Sequence, residues 1–459
     1  MKKLQRLVAG ALALALMLSM SACAKKENVG NVKKITGATA LAAPSYPKMA
    51  AYPNEDEFTK RNGDFDSDGF MEVYDAWWED KQTQQNQPEG YRDGVAEFTA
   101  QATPAILSGA GENQVYSPLN VYLALSMLAE LTEGDSRAQI LNLLGKDSVE
   151  ELRAQAKSIW NANYCSDGAL TSVLASSVWL NEDVSFVQST LDTLAENYYA
   201  ASFQGEMGSE EMNAALRQWL SQQTGGLLEE ASGGAEFTPE TVLGLATTIY
   251  YRAKWSQEFS KSKTEAMTFH APSGDVTCDF MRRYGTGTYY WGEAFGAVKL
   301  PLRESGNMCL LLPDEGVSPE ALLKDAQAME WLLGTDEWEN SKFLNVNLAL
   351  PKFDVMAQRD LKEGLCALGV TDVFDAGAAN FAPTCENADG VYLSGAEHAA
   401  RVAIDEEGVT AAAYTIMMES GAAEPPADEV DFILDRPFLF AITSREGMPL
   451  FIGIVNVPN

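Results

Sequence analysis

Apolar positions recur along this chain with two periods, and the switch between them marks out a mixed fold. Between Tyr116 and Ala129, the residues Val121, Leu125 and Leu128 fall three or four positions apart, which puts their side chains on one face of a helix. Pro118 stands in the first turn with Ser117 just before it; a proline there loses no helical hydrogen bond, and a serine hydroxyl there accepts from a free backbone N–H. Small Ala124, Ser126 and Ala129 let such a helix lie close under a sheet. Farther on, Leu174–Leu180 and Thr241–Tyr251 are apolar and β-branched and predict strands. Ala297–Leu302 and Met308–Leu312 flank the turn Glu304–Asn307 and predict an antiparallel pair. Asp360–Leu368 predicts a short helix, and Pro437–Thr443 and Leu450–Val457 predict two strands about the turn Arg445–Met448. Helices concentrate early and strands dominate the end, so the expected class is α+β.

One segment fits neither period. Asp405, Glu406, Glu407 and Gly408 lead into Val409, Thr410, Ala411, Ala412, Ala413, Tyr414 and Thr415, and then into a Gly/Ala/Pro-rich run ending at Pro426. Small side chains are accommodated cheaply between existing strands, so the run suits a segment exposed in one state and inserted in another. A flexible surface loop is the plainer alternative, although a structureless loop of this length is uncommon in a compact domain unless it is functional.

Composition narrows the chemistry. The 459 residues carry 33 Lys and Arg against 65 Asp and Glu, a net charge of -32, which repels phosphate backbones and excludes nucleic acid as a partner. Two histidines leave little material for a His-based metal cluster or a Ser-His-Asp enzyme, and there is no Gly-x-Ser-x-Gly elbow or His-Glu-x-x-His helix. No cofactor or metal is expected, and the protein is not expected to be an enzyme. Asp64–Gly69 with Glu72 and Asp75 has part of the spacing of a calcium loop, but Asp replaces the usual twelfth-position Glu and no helix is evident before it, which favours a plain acidic turn. Cys165, Cys278, Cys309, Cys366 and Cys385 have no CxxC spacing and read as buried small hydrophobes.

The start of the chain reads as a targeting signal. Lys2, Lys3 and Arg6 precede an uncharged, mostly apolar run from Leu7 to Ala22, too short to span a membrane comfortably. Met20-Ser21-Ala22-Cys23 resembles the lipobox of bacterial lipoproteins, in which the cysteine becomes the lipid-bearing first residue. The expected organisation is a signal peptide over 1–22, a lipidated cysteine and polar tether over 23–90, and one large domain over 91–459. The protein is thereby expected to be exported and either anchored to a membrane at the cell surface or secreted.

Several motifs in order point to one family. Ser117-Pro118-Leu119-Asn120 with Gly134, Ser136 and Gln139; Trp219-Leu220 with Thr224 and Gly226; Ile249 to Trp255 with Phe259; Leu350-Pro351-Lys352-Phe353; Arg436-Pro437-Phe438-Leu439-Phe440; and Phe451-Ile452-Gly453 with Asn456 and Pro458 together resemble the serpins, the serine protease inhibitor family, from about Tyr91 to Pro458. The resemblance implies three β-sheets, eight to nine helices and an exposed reactive-centre loop on a monomer. It implies a mechanism in which a protease acylates itself on the loop, whose N-terminal part then inserts into the main sheet and traps the covalent complex. The implied partner is a serine protease, with cysteine proteases as a second class. A serpin-fold binding or scaffold protein without inhibitory action is the alternative.

The resemblance also assigns positions. Glu406, Glu407 and Gly408 match the hinge, and Val409 to Thr415 the inserting segment; Val409, Ala411, Ala413 and Thr415 would share the inward face, and bulky Tyr414 would point outward. Family spacing puts the scissile bond between Ala422 and Ala423, with Gly421 or Ala423 as alternative primary positions. Alanine suits the shallow pocket of an elastase-like or subtilisin-like protease and cannot satisfy a buried aspartate that selects Lys or Arg. Ser117, Thr247, Trp255 and His398 match the region where the sheet opens. His398 normally meets an asparagine there; with Thr247 in that place the hydrogen bond must reach less far or pass through water. The other histidine, His270, reads as structural or exposed.

Overall fold

The computed structural model describes residues 35–60, 63–107, 109, 111–226, 236–334, 338–409 and 426–458. Among them lie ten α-helices and two hydrogen-bonded sheets.

The first sheet runs in the order β1 (Thr39–Ala42), β5 (Ala200–Gly205), β4 (Thr171–Asn181), β6 (Leu243–Lys254), β14 (Gly408–Val409), β13 (Leu393–Ile404) and β12 (Phe353–Asp360), with β3 (Cys165–Ser166) added to β4. Its central strands read as continuous apolar or small residues because both faces are covered, and nine consecutive residues of β4 are buried. The second sheet contains β2 (Gln114–Tyr116), β7 (Glu265–Ala271), β8 (Gly274–Trp291), β9 (Phe295–Pro301), β10 (Asn307–Pro313), β11 (Ser341–Pro351), β15 (Glu429–Ile433), β16 (Phe438–Thr443) and β17 (Pro449–Val455). Three sheets were expected, but the 18-residue β8 joins two of them. It pairs with β7 and β11 along most of its length, and its last three residues, Tyr289–Trp291, pair with β9.

The helix Pro118–Leu131 is buried along its whole length, as its run of apolar and small residues, interrupted by Asn120 and Glu130, favours. It starts where the sequence places it, with the Ser117 hydroxyl accepting from the Asn120 N–H at 3.2 Å. The pair β9 and β10 is antiparallel, β16 falls within its predicted strand, and β17 starts one residue before its own, at Pro449. The helix expected over Asp360–Leu368 is shorter, Lys362–Ala367, because Asp360 is the last residue of β12 and pairs with Glu397.

The expected tether is corrected over much of its length. β1 pairs with β5 at the sheet edge, and a helix spans Ser67–Gln85. Phe70 and Trp77 of that helix are buried in a cluster with Tyr52 and Tyr74, the Tyr52 and Trp77 rings meeting edge-on at 5.0 Å. Lys81 forms a fully buried ion pair with Asp167 at 3.2 Å. Aromatic area and this ion pair hold the segment against the domain, and this helix raises the count above eight or nine. The calcium-loop spacing is broken by the same helix: Asp66 caps it by accepting from the Gly69 N–H, and Glu72 and Asp75 lie within it. The five cysteines after Cys23 are free thiols, three buried and two half-buried.

Candidate functional site: a divided join in the main sheet

The central feature is the line along which β6 and β13 meet. These strands are parallel neighbours from Leu243 and Leu393 up to Thr248 and Ala399. Above that point Ile249–Lys254 and Ala400–Ile404 have no register with each other. The top of the gap is filled by β14, whose two residues pair antiparallel with both flanks: Val409 with Ile404, Val409 with Ala253, and Gly408 with Lys254. The join is therefore closed below, open in the middle and plugged above.

The lower half is locked by a buried polar triad. His398 and Thr247 face each other in register, and the Thr247 Oγ1 lies 3.0 Å from His398 Nδ1. His398 Nε2 accepts the Ser117 backbone N–H at 3.0 Å. Because Nε2 accepts, the ring proton of a neutral imidazole sits on Nδ1 and is donated to Thr247. Burial disfavours the charged ring, with Arg359 adding to the effect, and lowers the His398 pKa to about 3. The contact that sequence comparison left to a shorter reach or a bridging water is thus direct. Thr248 adds a bond to the Ala399 carbonyl at 3.3 Å. The Asn120 carboxamide, on the helix Ser117 caps, is buried without a hydrogen-bond partner among the described residues, an unfavourable state.

The upper half is held by the turn Asp405–Glu407. The Asp405 carboxylate accepts from the Glu407 and Gly408 N–H groups at 2.8 and 3.1 Å. Buried Glu406 accepts from Lys352 at 2.8 Å and from the Thr264 hydroxyl at 2.7 Å. Burial works against its charge, but these bonds outweigh that cost and hold its pKa below the usual carboxylate range. Trp255 donates its backbone N–H to the Glu407 carbonyl at 3.1 Å and its indole N–H to the Asp405 carbonyl at 2.8 Å, and the Phe259 N–H reaches the Glu406 carbonyl at 2.8 Å. Lys261 pairs with Glu407 at 2.6 Å. Gly408 is required by space: a Cβ there would stand 2.3 Å from the Ala253 carbonyl oxygen.

The structure thus brings together Ser117, Thr247 and His398 below, and Trp255, Glu406, Glu407, Gly408 and Val409 above. Thr410, Ala411, Ala412, Ala413, Tyr414, Thr415, Ala422, Ala423 and Cys23 lie outside the described residues. His270 is exposed and bonded to Asp275 at 2.8 Å. Sequence reasoning missed Asp405, Lys261, Thr264 and Lys352 as anchors of the turn; of these only Lys352 carried a signal, its place inside Leu350-Pro351-Lys352-Phe353.

Comparison with known proteins agrees with this geometry. The sequence profile described as Serpin (serine protease inhibitor) matches residues 93–458. The human leukocyte elastase inhibitor is 29% identical over 357 residues, covering 75% of this chain and 93% of that protein. Human neuroserpin is 26% identical, covering 76% and 87%. Among solved structures, native Tengpin, a thermophilic serpin, superposes with a TM-score of 0.72 at 25% identity, covering 82% of this chain and 96% of its own. Human thyroxine-binding globulin superposes at 0.70 with 20% identity, covering 81% and 100%, a likeness of fold alone.

Proposed function

The chain belongs to the serpin family, whose members are not enzymes, and from that premise we propose that it inhibits serine endopeptidases by trapping them as acyl-enzymes. The observation that carries this reading is β14: a strand of the correct direction already stands between β6 and β13, above a stretch where those two strands do not pair with each other.

In the proposed sequence the protease serine oxygen attacks the Ala422 carbonyl. The bond to Ala423 breaks, the new amine leaves with its proton, and an ester joins Ala422 to the protease. Residues from Thr410 onward then extend β14 between Ile249–Arg252 and Ala400–Ala403, stretches that do not pair with each other. Added strand pairing and apolar burial supply the driving energy. The small Val409, Ala411, Ala413 and Thr415 suit the inward face, and Ala422 favours elastase-like or subtilisin-like targets. We further propose export and lipid anchoring through Cys23, which predicts that Cys23→Ser moves the protein from the membrane to the soluble fraction.

The test is incubation of the soluble domain with elastase-like, subtilisin-like, trypsin-like and papain-like proteases, read by denaturing electrophoresis and intact mass. A denaturant-resistant adduct and a released peptide beginning at Ala423 are expected. Cleavage without any adduct would overturn the inhibitory reading and leave a serpin-fold binding protein.

A further inference from the structure

A cavity of about 170 Å³ lies where the N-terminal helix Ser67–Gln85 meets the main domain. One wall is rich in amides: Gln82 and Gln85 of that helix and Gln87 just beyond it. The opposite wall comes from the end of the helix Val149–Asn163, from β4 and from β6, through Asn163, Ser172 and Tyr251. Asn163 and Ser172 are 4% and 2% exposed, and neither Asn163 Oδ1 nor Ser172 Oγ has a hydrogen-bond partner among the described residues. Buried polar atoms are seldom left in that state, so two of them on one wall point to a polar occupant. The Tyr251 hydroxyl meets the Ser305 hydroxyl at 2.6 Å, while its ring, with Leu170 and Leu450, adds apolar surface to the lining. The charged groups are engaged or peripheral. Glu304 accepts from the Tyr74 hydroxyl at 3.1 Å, Arg445 stacks 4.0 Å from the centre of the Trp78 ring, and Arg445 and Glu446 are exposed.

From this lining we propose that the cavity binds one neutral sugar ring, either a free monosaccharide or the terminal unit of a glycan. Size sets the first limit. A cavity of roughly 150 Å³ takes a single six-membered carbon ring, and pockets for drug-sized ligands begin at about 300 Å³, so one ring fits and a peptide or a larger cofactor does not. Chemistry sets the second. Amide and hydroxyl groups both donate and accept, as every sugar hydroxyl does, and the C–H face of the ring matches the apolar surface of Tyr251, Leu170 and Leu450. Two carboxylates against one arginine disfavour an anion. The ring would bond to the N-terminal helix on one side and to β4 and β6 on the other, fastening that helix to the main sheet. The proposal is independent of protease trapping.

The test is saturation-transfer NMR titration of the full-length protein with glucose, galactose, mannose and N-acetylglucosamine, with their methyl glycosides, and with glucose 6-phosphate as the anionic control. Melting temperature is followed in parallel. Saturable binding of at least one neutral sugar is expected, together with a rise in melting temperature at high sugar. Gln82→Leu/Gln85→Leu removes amide partners from one wall and should weaken that sugar ~tenfold. Ala162→Phe, at another lining position, fills the space and should abolish binding. The melting temperature of each variant without sugar reports whether it is folded. Methyl glycosides separate the two sources: a glycan terminus is bound when one anomer is accepted, and a free sugar when both are refused. No saturable binding by any neutral sugar would overturn the proposal and leave a cavity for water alone. Binding that survives in folded Ala162→Phe, or tighter binding of glucose 6-phosphate, would overturn it as well.

Discussion

The two halves of the join between β6 and β13 are built from the same strands but held by opposite means. Below, the strands pair directly, and the His398 ring uses one nitrogen on Thr247 and the other on the Ser117 N–H. Above, the strands do not meet, and two residues of β14 are kept between them by a turn whose bonds run to Trp255, Phe259, Thr264, Lys261 and Lys352. The difference teaches where an opening sheet can yield. Insertion from above needs no new hinge contacts, since the first pairs exist, but it must break the lower lock to continue.

The largest effect is expected at the lock. His398→Ala removes the partner of a buried backbone N–H and of a buried hydroxyl together, and should destabilise the native form by about 3 kcal/mol, read as a lower urea midpoint. It should also hasten spontaneous loop insertion, seen as a heat-resistant fraction that grows on storage. The lock should respond to acid as well. The folded His398 pKa of about 3 lies below the ordinary value, so the unfolded chain binds the extra proton. The contribution of His398 is complete above pH ~6.5 and is lost as pH falls from there toward 3, with a slope approaching about 1.4 kcal/mol per pH unit. His398→Gln should flatten that slope over pH 4–6; an unchanged profile would show that other groups control it.

Next comes the plug. Gly408→Val puts a side chain where a Cβ already meets the Ala253 carbonyl oxygen at 2.3 Å. Overpacking of this kind costs about 1–3 kcal/mol, borne by β14 alone because the strands beside it are already separated. The expected result is a loop cut as a substrate, with at least ~tenfold more inhibitor consumed per protease trapped, a partition shift worth ~1.4 kcal/mol. Normal stoichiometry would mean that the close approach of Gly408 to Ala253 is not needed for insertion.

How far the sequence revealed these halves follows from the kind of interaction in each. The lock was legible because its parts sit inside fixed motifs: Ser117 before Pro118, and His398 opposite Thr247 at a recognisable strand position. Its geometry was not, since whether a threonine hydroxyl reaches an imbidazole depends on register, which single-sequence patterning does not give. The anchors of the turn were hidden because Lys261 and Thr264 come from one distant part of the chain and Lys352 from another, and a lone lysine or threonine carries no periodic signal. The N-terminal segment failed for a related reason. Its apolar residues are few and aromatic, Tyr52, Phe70, Tyr74 and Trp77, and they bury against one another, so polarity suggested a tether although packing decided otherwise.

A smaller effect is expected at the buried anchor. Lys352→Met leaves Glu406 with the Thr264 hydroxyl as its only side-chain donor among the described contacts. Losing a charge-assisted bond to a buried carboxylate should cost about 1–2 kcal/mol, confined to the upper half. Hydrogen exchange should therefore quicken at Gly408 and Val409 while Thr247, Thr248 and His398 keep their protection; loosening of both halves together would mean that the join is one cooperative unit.

The smallest effect belongs to Lys261, and it tests whether the upper half depends on charge or on burial. Its ammonium is 70% exposed, whereas Glu407 is 15% exposed. Water solvates the lysine in both states, so Lys261→Ala should leave the unfolding midpoint within measurement scatter and the protease-trapping stoichiometry unchanged. Glu407 holds its place through its backbone instead, its carbonyl accepting from Trp255 and its N–H donating to Asp405, and neither bond involves the lysine. If Lys261→Ala nevertheless impaired trapping as Gly408→Val does, the turn would be steered by its surface charge, and the contrast between a polar lock below and a backbone-held plug above would fail.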